Sequence, residues 1–197
     1  MLIPQGLTMP IDRRWLILTA VLIAGCSRPP EVQVAYEPPK PVSKDFAQLR
    51  SILNELPRTG EVALYEGLPS EFWEPQLRET EAKQKKTLGL HGYLFYDEQL
   101  APEESDRKQL TALFTDARSF QRHRDVKVCG GYHPDYCVEW KNGDATTRAL
   151  ICLECAEVQF FARRGELYCD LSPEANQRLS RCLGAYRKNR PAATSRG

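Results

Sequence analysis

A single apolar run near the N-terminus limits what this chain can fold into. The run covers ten residues, from Trp15 to Ala24, whereas a helix that crosses a bilayer takes about 20 apolar residues. A membrane-spanning helix is therefore excluded for this run. Its length suits the apolar core of an export signal, and Arg13 and Arg14 supply the positive charge that such a signal carries before that core.

The apolar run ends in the motif Ile23-Ala24-Gly25-Cys26. This motif, followed by a polar and proline-rich sequence, resembles the lipobox of bacterial lipoprotein precursors. The resemblance implies transfer of diacylglycerol to the Cys26 thiol, cleavage before Cys26 and acylation of the freed amine. It assigns residues 1–25 to a lipoprotein signal peptide, for which Met9 is the more typical start.

The same resemblance gives an expected location and a lipid partner. Each buried methylene of an acyl chain contributes about 0.8 kcal/mol, so several chains on Cys26 hold a protein stably on a membrane that it does not span. Ser27 follows the cysteine at the place where inner-membrane retention signals favour Asp. The implied location is the cell envelope, at the outer membrane and facing the periplasm.

Residues 26–44 have the composition of a tether. They contain five prolines and little periodic apolar pattern. Proline-rich chain in the polyproline II conformation extends by about 3.1 Å per residue, so this segment reaches on the order of 50 Å from the lipid. The folded domain is expected to begin where the tether ends.

Residues 45–188 are predicted to form a single α+β domain, a small antiparallel sheet with about three packed helices. Three segments have apolar residues at helical spacing: Phe46 to Leu56, Leu110 to Ala117, and Leu179 to Tyr186. Pro102 and Pro173 are expected in the first turns of the second and third helices, with Ser172 as an N-cap. Five segments have strand patterns: Val62 to Leu68, Thr87 to Asp97, Cys137 to Trp140, Arg148 to Cys152, and Val158 to Phe161.

The near balance of positive and negative residues excludes a strong electrostatic field over the whole protein. The chain has 27 Lys and Arg against 26 Asp and Glu, so nothing favours a nucleic-acid partner. Two local basic clusters are expected to be solvated: Arg118, Arg122, His123, Arg124 and Lys127, and then Arg187, Lys188 and Arg190. Residues 189–197 are predicted to be a disordered tail.

Six cysteines remain besides Cys26: Cys129, Cys137, Cys152, Cys155, Cys169 and Cys182. An even number in an exported chain favours a disulfide-braced domain. The start of the last helix, near Cys169, lies about 15 Å from Cys182 along that helix, whereas a bridge needs Cα atoms within about 7 Å. Cys182 is therefore predicted to pair with Cys152 or Cys155.

The Cys152-Leu153-Glu154-Cys155 segment suggests two other functions. A CxxC motif at a helix N-terminus would indicate a thiol-disulfide oxidoreductase, but strand-like sequence lies on both sides of this motif. A zinc site built from Cys129, His133, Cys152 and Cys155 has suitable ligand types. The paired CxxC spacing typical of such sites is absent.

The sequence Tyr132 to Tyr136 contains the HPD tripeptide of J-domain co-chaperones. Those domains place the tripeptide between two helices, whereas here two glycines precede it and a strand pattern follows. A turn in which Asp135 bonds nearby amides is the favoured interpretation. A catalytic trio of Cys129, His133 and Asp135 is the alternative, but a disulfide would consume its nucleophile.

The hypothesis from sequence is a non-enzymatic envelope lipoprotein whose domain binds or scaffolds an envelope protein or polysaccharide. No catalytic residue, metal or cofactor is assigned. The competing hypothesis is an envelope thiol-disulfide oxidoreductase or zinc-binding protein that uses Cys152 and Cys155. The general layout resembles uncharacterised bacterial lipoproteins, and that resemblance implies no activity.

Overall fold

A computed structural model describes residues 43–57, 60–124 and 131–191 of the chain. The predicted signal peptide, the predicted lipidation site Cys26 and nearly all of the tether lie outside these residues, as do Cys129 and residues 192–197. Within the described residues, no helix combines the length and the apolar character needed to cross a bilayer.

Eight strands form two antiparallel sheets in the described part of the chain. They are β1 Glu61–Glu66, β2 Thr87–Leu90, β3 Tyr93–Tyr96, β4 Phe120–Arg122, β5 Tyr136–Asn142, β6 Ala145–Cys152, β7 Glu157–Ala162 and β8 Gly165–Leu171. One sheet has six strands in the order β1-β5-β6-β7-β8-β4, and β2 pairs with β3 in the second sheet. Every pairing is antiparallel, which confirms the predicted α+β class.

Four α-helices accompany the sheets in the same residues: α1 Leu49–Leu53, α2 Pro75–Gln84, α3 Glu104–Thr115 and α4 Pro173–Gly184. Two short 3-10 helices, Ser43–Gln48 and Ala117–Ser119, precede α1 and follow α3. Helix α2 was not predicted. Its only buried residue is Glu81, so its sequence carries no apolar stripe at helical spacing.

The start of α4 follows the prediction and the start of α3 does not. Ser172 is the N-cap of α4, because its Oγ accepts a hydrogen bond from the backbone N–H of Ala175 at 3.2 Å. Helix α3 begins at Glu104, so Pro102 lies before the helix and not in its first turn. Glu103 is held in an extended conformation there, and its backbone N–H donates to the Tyr186 hydroxyl at 2.9 Å.

The six-stranded sheet buries both of its faces. Residues such as Val138 and Phe160 pack against α1, α3 and α4 on one side, which we call the helix face. Residues that alternate with them, such as Cys137 and Leu150, pack against the β2–β3 hairpin on the other side, which we call the hairpin face. This alternation follows from the two-residue period of a strand.

The predicted single strand from Thr87 to Asp97 is wrong, because the chain reverses at its centre. Leu90 pairs with Tyr93, and the two residues between them have positive φ angles, 51° for His91 and 86° for Gly92. Two left-handed residues in a two-residue loop are the geometry that tight hairpins favour. The alternation of apolar residues continues through this turn, so the sequence pattern gave no indication that the chain reverses there.

Candidate functional site

Four of the five described cysteines carry free thiols: Cys137, Cys152, Cys169 and Cys182. Cys155 is the exception, because it is disulfide-bonded. No two of the described cysteines are bonded to each other. Bracing of the sheet by bridges among these five residues is therefore not supported, and Cys129 lies outside the described residues.

The predicted bridge from Cys182 to Cys152 or Cys155 is wrong, because the six-stranded sheet separates these residues. Cys182 lies with Cys169 in the core on the helix face. Cys152 and Cys155 lie in the core on the hairpin face. Neighbouring residues of a strand lie on opposite faces of the sheet. The spacing of the cysteines along the chain therefore could not show which of them share a face.

The CxxC segment lacks the features that activate a redox cysteine. Cys152 ends β6, and Cys155 lies in the turn before β7, so neither residue starts a helix. Burial raises the pKa of the Cys152 thiol to about 12, whereas a nucleophilic cysteine needs a lowered pKa. Cys152 is thus a core residue in this structure.

The zinc site considered from the sequence is not assembled by its described members. His133, Cys152 and Cys155 do not form a group of metal-ligating atoms, and the one such group among the described residues contains none of them. The disulfide bond of Cys155 also removes a thiolate ligand. Cys129, the fourth residue considered, lies outside the described residues.

The His133-Pro134-Asp135 tripeptide forms the turn that leads into β5. Asp135 Oδ2 accepts a hydrogen bond from the backbone N–H of Leu153 at 2.8 Å, and the two residues are 18 positions apart in the chain. Its amide partner therefore lies after β6 and not within the predicted turn. Burial lowers the pKa of His133 to about 4, so its ring is neutral at physiological pH. A neutral, half-buried His133 is part of the packing of this segment.

The segment after α4 is held in place by a buried carboxylate. Glu66, which is 1% exposed, accepts hydrogen bonds from the backbone N–H groups of Lys188, Asn189 and Arg190 at 3.0, 2.6 and 3.0 Å. Successive amides of this kind form a concavity that binds anions. The predicted disordered tail is therefore wrong for residues 189–191.

The Arg190 side chain was expected in solvent and instead joins a charged cluster. It is 15% exposed, and its guanidinium lies 2.9 Å from Glu74 Oε2 and 2.8 Å from Asp135 Oδ1. These contacts tie the segment after α4 to the loop before α2 and to the segment before β5. No sequence signal marked them, because the three residues are far apart in the chain.

A second charged cluster lies on the hairpin face, next to the short edge strand β4. Glu157 and Asp170 are directly opposite each other in the pairing of β7 with β8. His123 Nδ1 lies 3.0 Å from Asp170 Oδ1 and 3.9 Å from Glu157 Oε1. The side chains of His123, Glu157 and Asp170 are 7, 4 and 10% exposed. The prediction that the first basic cluster is solvated is therefore wrong for His123.

Neighbouring groups orient both carboxylates of this cluster. The Tyr168 hydroxyl donates a hydrogen bond to Glu157 Oε2 at 2.5 Å, and the backbone N–H of Arg124 donates to Asp170 Oδ2 at 3.3 Å. Burial and the Glu157 carboxylate raise the pKa of Tyr168 strongly, so its hydroxyl keeps the proton that it donates. Oε1 and Oδ1 are the oxygens that face His123.

An exposed aromatic pair stands in the loop between β1 and α2. Phe72 is 60% exposed and Trp73 is 44% exposed. Their ring centroids are 4.6 Å apart at an interplanar angle of 86°. Ser70 fixes the loop, because its Oγ accepts from the Trp73 amide at 3.3 Å and its carbonyl oxygen accepts from the Glu74 amide at 2.8 Å.

The nearby cavity is too small to hold an organic ligand. It has a volume of about 10 Å³ and is lined by residues that include Tyr93, Leu94 and His133, and a single water needs at least about that volume. A larger cavity of about 260 Å³ lies beside Glu66, Asp135 and Arg190, whose charged groups already bond protein partners. The exposed aromatic pair is therefore a stronger binding candidate than either cavity.

Comparisons of the chain with protein-family models, with curated proteins and with solved structures find no match. The class of this protein is therefore described by its fold and its candidate sites alone. It is an α+β domain with an exposed aromatic pair and a buried His-carboxylate cluster.

Proposed function

We propose that this protein is a lipid-anchored lipoprotein of the bacterial cell envelope, and that its domain binds another envelope protein. The lipobox at Ile23 to Cys26 supports the anchor, with acyl chains on Cys26 and the domain facing the periplasm at the outer membrane. The disulfide bond of Cys155 supports an oxidising compartment.

The exposure of Phe72 and Trp73 carries the proposal of a binding function. Aromatic residues, and Trp above all, supply much of the energy of protein interfaces when they enter a pocket of the partner. Large apolar side chains on a monomer surface cost solvation free energy, which a partner removes. Two adjacent aromatic rings at this level of exposure are therefore the best candidate contact surface.

The loop presents the two rings in a defined geometry. Its bonds to Ser70 and the ion pair of Glu74 with Arg190 fix it at both sides of the aromatic pair. A loop that is ordered before binding loses less conformational entropy when the partner arrives. This order favours a specific interface over nonspecific adhesion.

The arrangement of the rings favours a protein partner over a polysaccharide. Sugars stack on a flat aromatic face, whereas Phe72 and Trp73 meet edge to face and form a wedge. A wedge fits an apolar pocket between side chains. The expected partner is thus an envelope protein with an apolar cleft.

Site-specific photo-crosslinking tests the proposed surface. Phe72 is replaced by benzoylphenylalanine in cells, and Arg118, whose side chain is 91% exposed, receives the same probe as a matched control. The expected result is one discrete protein product at position 72 and none at position 118. When the crosslinking is repeated in a membrane extract of these cells, excess purified wild-type chain is expected to compete this product away, while a Phe72→Ser, Trp73→Ser chain does not.

Three results would contradict the proposed surface. They are the absence of a product at position 72, equal products at both positions, and equal competition by the wild-type and variant chains. A product that proves to be polysaccharide would overturn the choice of partner.

We also propose that Cys129 is the disulfide partner of Cys155. Cys155 Sγ lies 3.8 Å from the carbonyl oxygen of Gly131, and Gly131 follows Cys129 by two residues. The other described cysteines are free thiols, and Cys26 is assigned to lipid. A bridge of this kind contributes roughly 2 to 4 kcal/mol to stability.

A further inference from the structure

We propose that His123, Glu157 and Asp170 form a binding site for one first-row divalent cation, with Zn²⁺ as the best match. This site is separate from the aromatic pair and does not depend on the proposed envelope partner. It is also different from the cysteine-based zinc site that the sequence suggested, with which it shares no residue.

The three ligand atoms are close enough to share one ion. His123 Nδ1 and one oxygen of each carboxylate all lie within 4.8 Å of one another. Zinc binds such nitrogen and oxygen atoms at about 2.0 to 2.2 Å, which places neighbouring ligands of a tetrahedral site about 3.4 Å apart. The observed separations of 3.0 and 3.9 Å from His123 Nδ1 lie on either side of that value.

The backbone fixes the positions of the two carboxylates. Glu157 and Asp170 are directly opposite each other in the pairing of β7 with β8, and both side chains are buried. Metal sites rely on outer groups that hydrogen-bond the ligands and hold their orientation. The Tyr168 hydroxyl on Glu157 and the Arg124 amide on Asp170 have this arrangement.

The donor atoms of the cluster match a first-row divalent cation, because one imidazole nitrogen and two carboxylate oxygens are ligand types that such ions bind. The imidazole of His123 favours zinc and its neighbours over magnesium or calcium, which prefer oxygen ligands alone.

Binding of the ion determines which nitrogen of the His123 ring carries a proton. The Nδ1 atom of His123 would bind the ion through its lone pair, so it must carry no proton. Its hydrogen bond with Asp170 is then replaced by bonds from both groups to the metal. The ring keeps one proton on Nε2, and a proton held on Nδ1 is released to solvent.

The histidines allow a matched experiment, because the chain has three of them and only His123 belongs to the cluster. The full chain is freed of metal with EDTA and titrated with zinc sulfate in a calorimeter. We expect one zinc per chain, with affinity at least about tenfold lower in His123→Gln. The variants His91→Gln and His133→Gln are expected to bind as the wild type does.

Two further measurements keep the test valid if His123→Gln does not fold. Asp170→Asn keeps the shape of its side chain and is expected to weaken zinc binding as much as His123→Gln does. In the wild-type chain labelled with ¹⁵N-histidine, zinc is expected to shift the ring-nitrogen resonances of His123 alone.

The site would be refuted by wild-type chain that binds no stoichiometric zinc, or by a nitrogen shift at another histidine. Loss of binding in His133→Gln with retention in His123→Gln would refute it too and would point to the cysteine-based site. Equal weak binding by all the variants would mean adventitious surface binding.

Discussion

Arg190 donates a hydrogen bond from Nη1 to Asp135 Oδ1 across 2.8 Å, and this ion pair ties the last described turn of the chain to the start of β5. The same guanidinium bonds Glu74, next to the exposed aromatic pair. The C-terminal segment therefore supports both the turn before β5 and the loop that presents Phe72 and Trp73.

Replacement of Arg190 tests this support. Arg190→Met leaves Asp135 and Glu74 without their cation, and we expect it to lower the free energy of unfolding by about 2 to 3 kcal/mol, since the three side chains are mostly but not fully buried. Urea unfolding followed by circular dichroism measures the change. Arg118→Met is the control, because its ion pair with Asp116 is exposed and its loss is expected to leave the stability almost unchanged. Equal losses in the two variants would contradict the account.

Gly67 provides a second pair of variants. A Cβ at this position would lie 2.1 Å from the carbonyl oxygen of Pro134, so Gly67→Ala forces the backbone of the turn to move. We expect a loss of about 2 kcal/mol or more. Gly184 ends α4 and has nothing within 4 Å of an added Cβ, so Gly184→Ala is expected to be neutral or stabilising. A thermal melt in which the two variants behave alike would show that the close approach at Gly67 is unimportant.

His133 is expected to make stability depend on pH. Burial lowers its pKa to about 4 from an ordinary value of 6.5, so a proton binds the unfolded chain more tightly than the folded chain. The contribution of the neutral ring is complete above pH 6.5 and falls as the pH decreases toward 4. Between pH 6.5 and pH 5 the wild type should lose about 1 to 2 kcal/mol that His133→Gln does not lose. Parallel pH profiles for the two chains, measured by urea unfolding, would exclude this role for His133.

The thiol count tests the proposed bridge. The denatured, unreduced native protein is expected to contain four free thiols, on Cys137, Cys152, Cys169 and Cys182. Alkylation followed by peptide mass spectrometry should show Cys129 and Cys155 joined to each other. Alkylated Cys155, or a bridge between any two of the four free cysteines, would contradict the assignment.

Several elements could be predicted from the sequence because they depend on residues that are close together in the chain. Ser172 and Pro173 mark the start of α4 because capping depends on residues within one turn. Strands β5, β6 and β7 were predicted because their segments are short, largely apolar and separated by turn residues. The hairpin turn at His91 and Gly92 was missed because the alternation continues across it.

The candidate sites depend on contacts between distant residues, which no local pattern records. Glu66 meets the amide of Arg190 across 124 positions of the chain, and His123 meets Asp170 across 47. The cysteines were assigned to bridges because their number was even. Cys182 lies on one face of the sheet, and Cys152 and Cys155 lie on the other, so the predicted bridge does not form.

The anchor at Cys26 is the claim on which the proposed function depends, and the intact mass of the native protein tests it most directly. The predicted mass is that of a chain that begins at Cys26 and carries diacylglycerol and an N-acyl group. Cys26→Ser is expected to remain unprocessed or to leave the membrane fraction. A native chain that keeps residues 9–25 and has no fatty-acid increment would contradict the account.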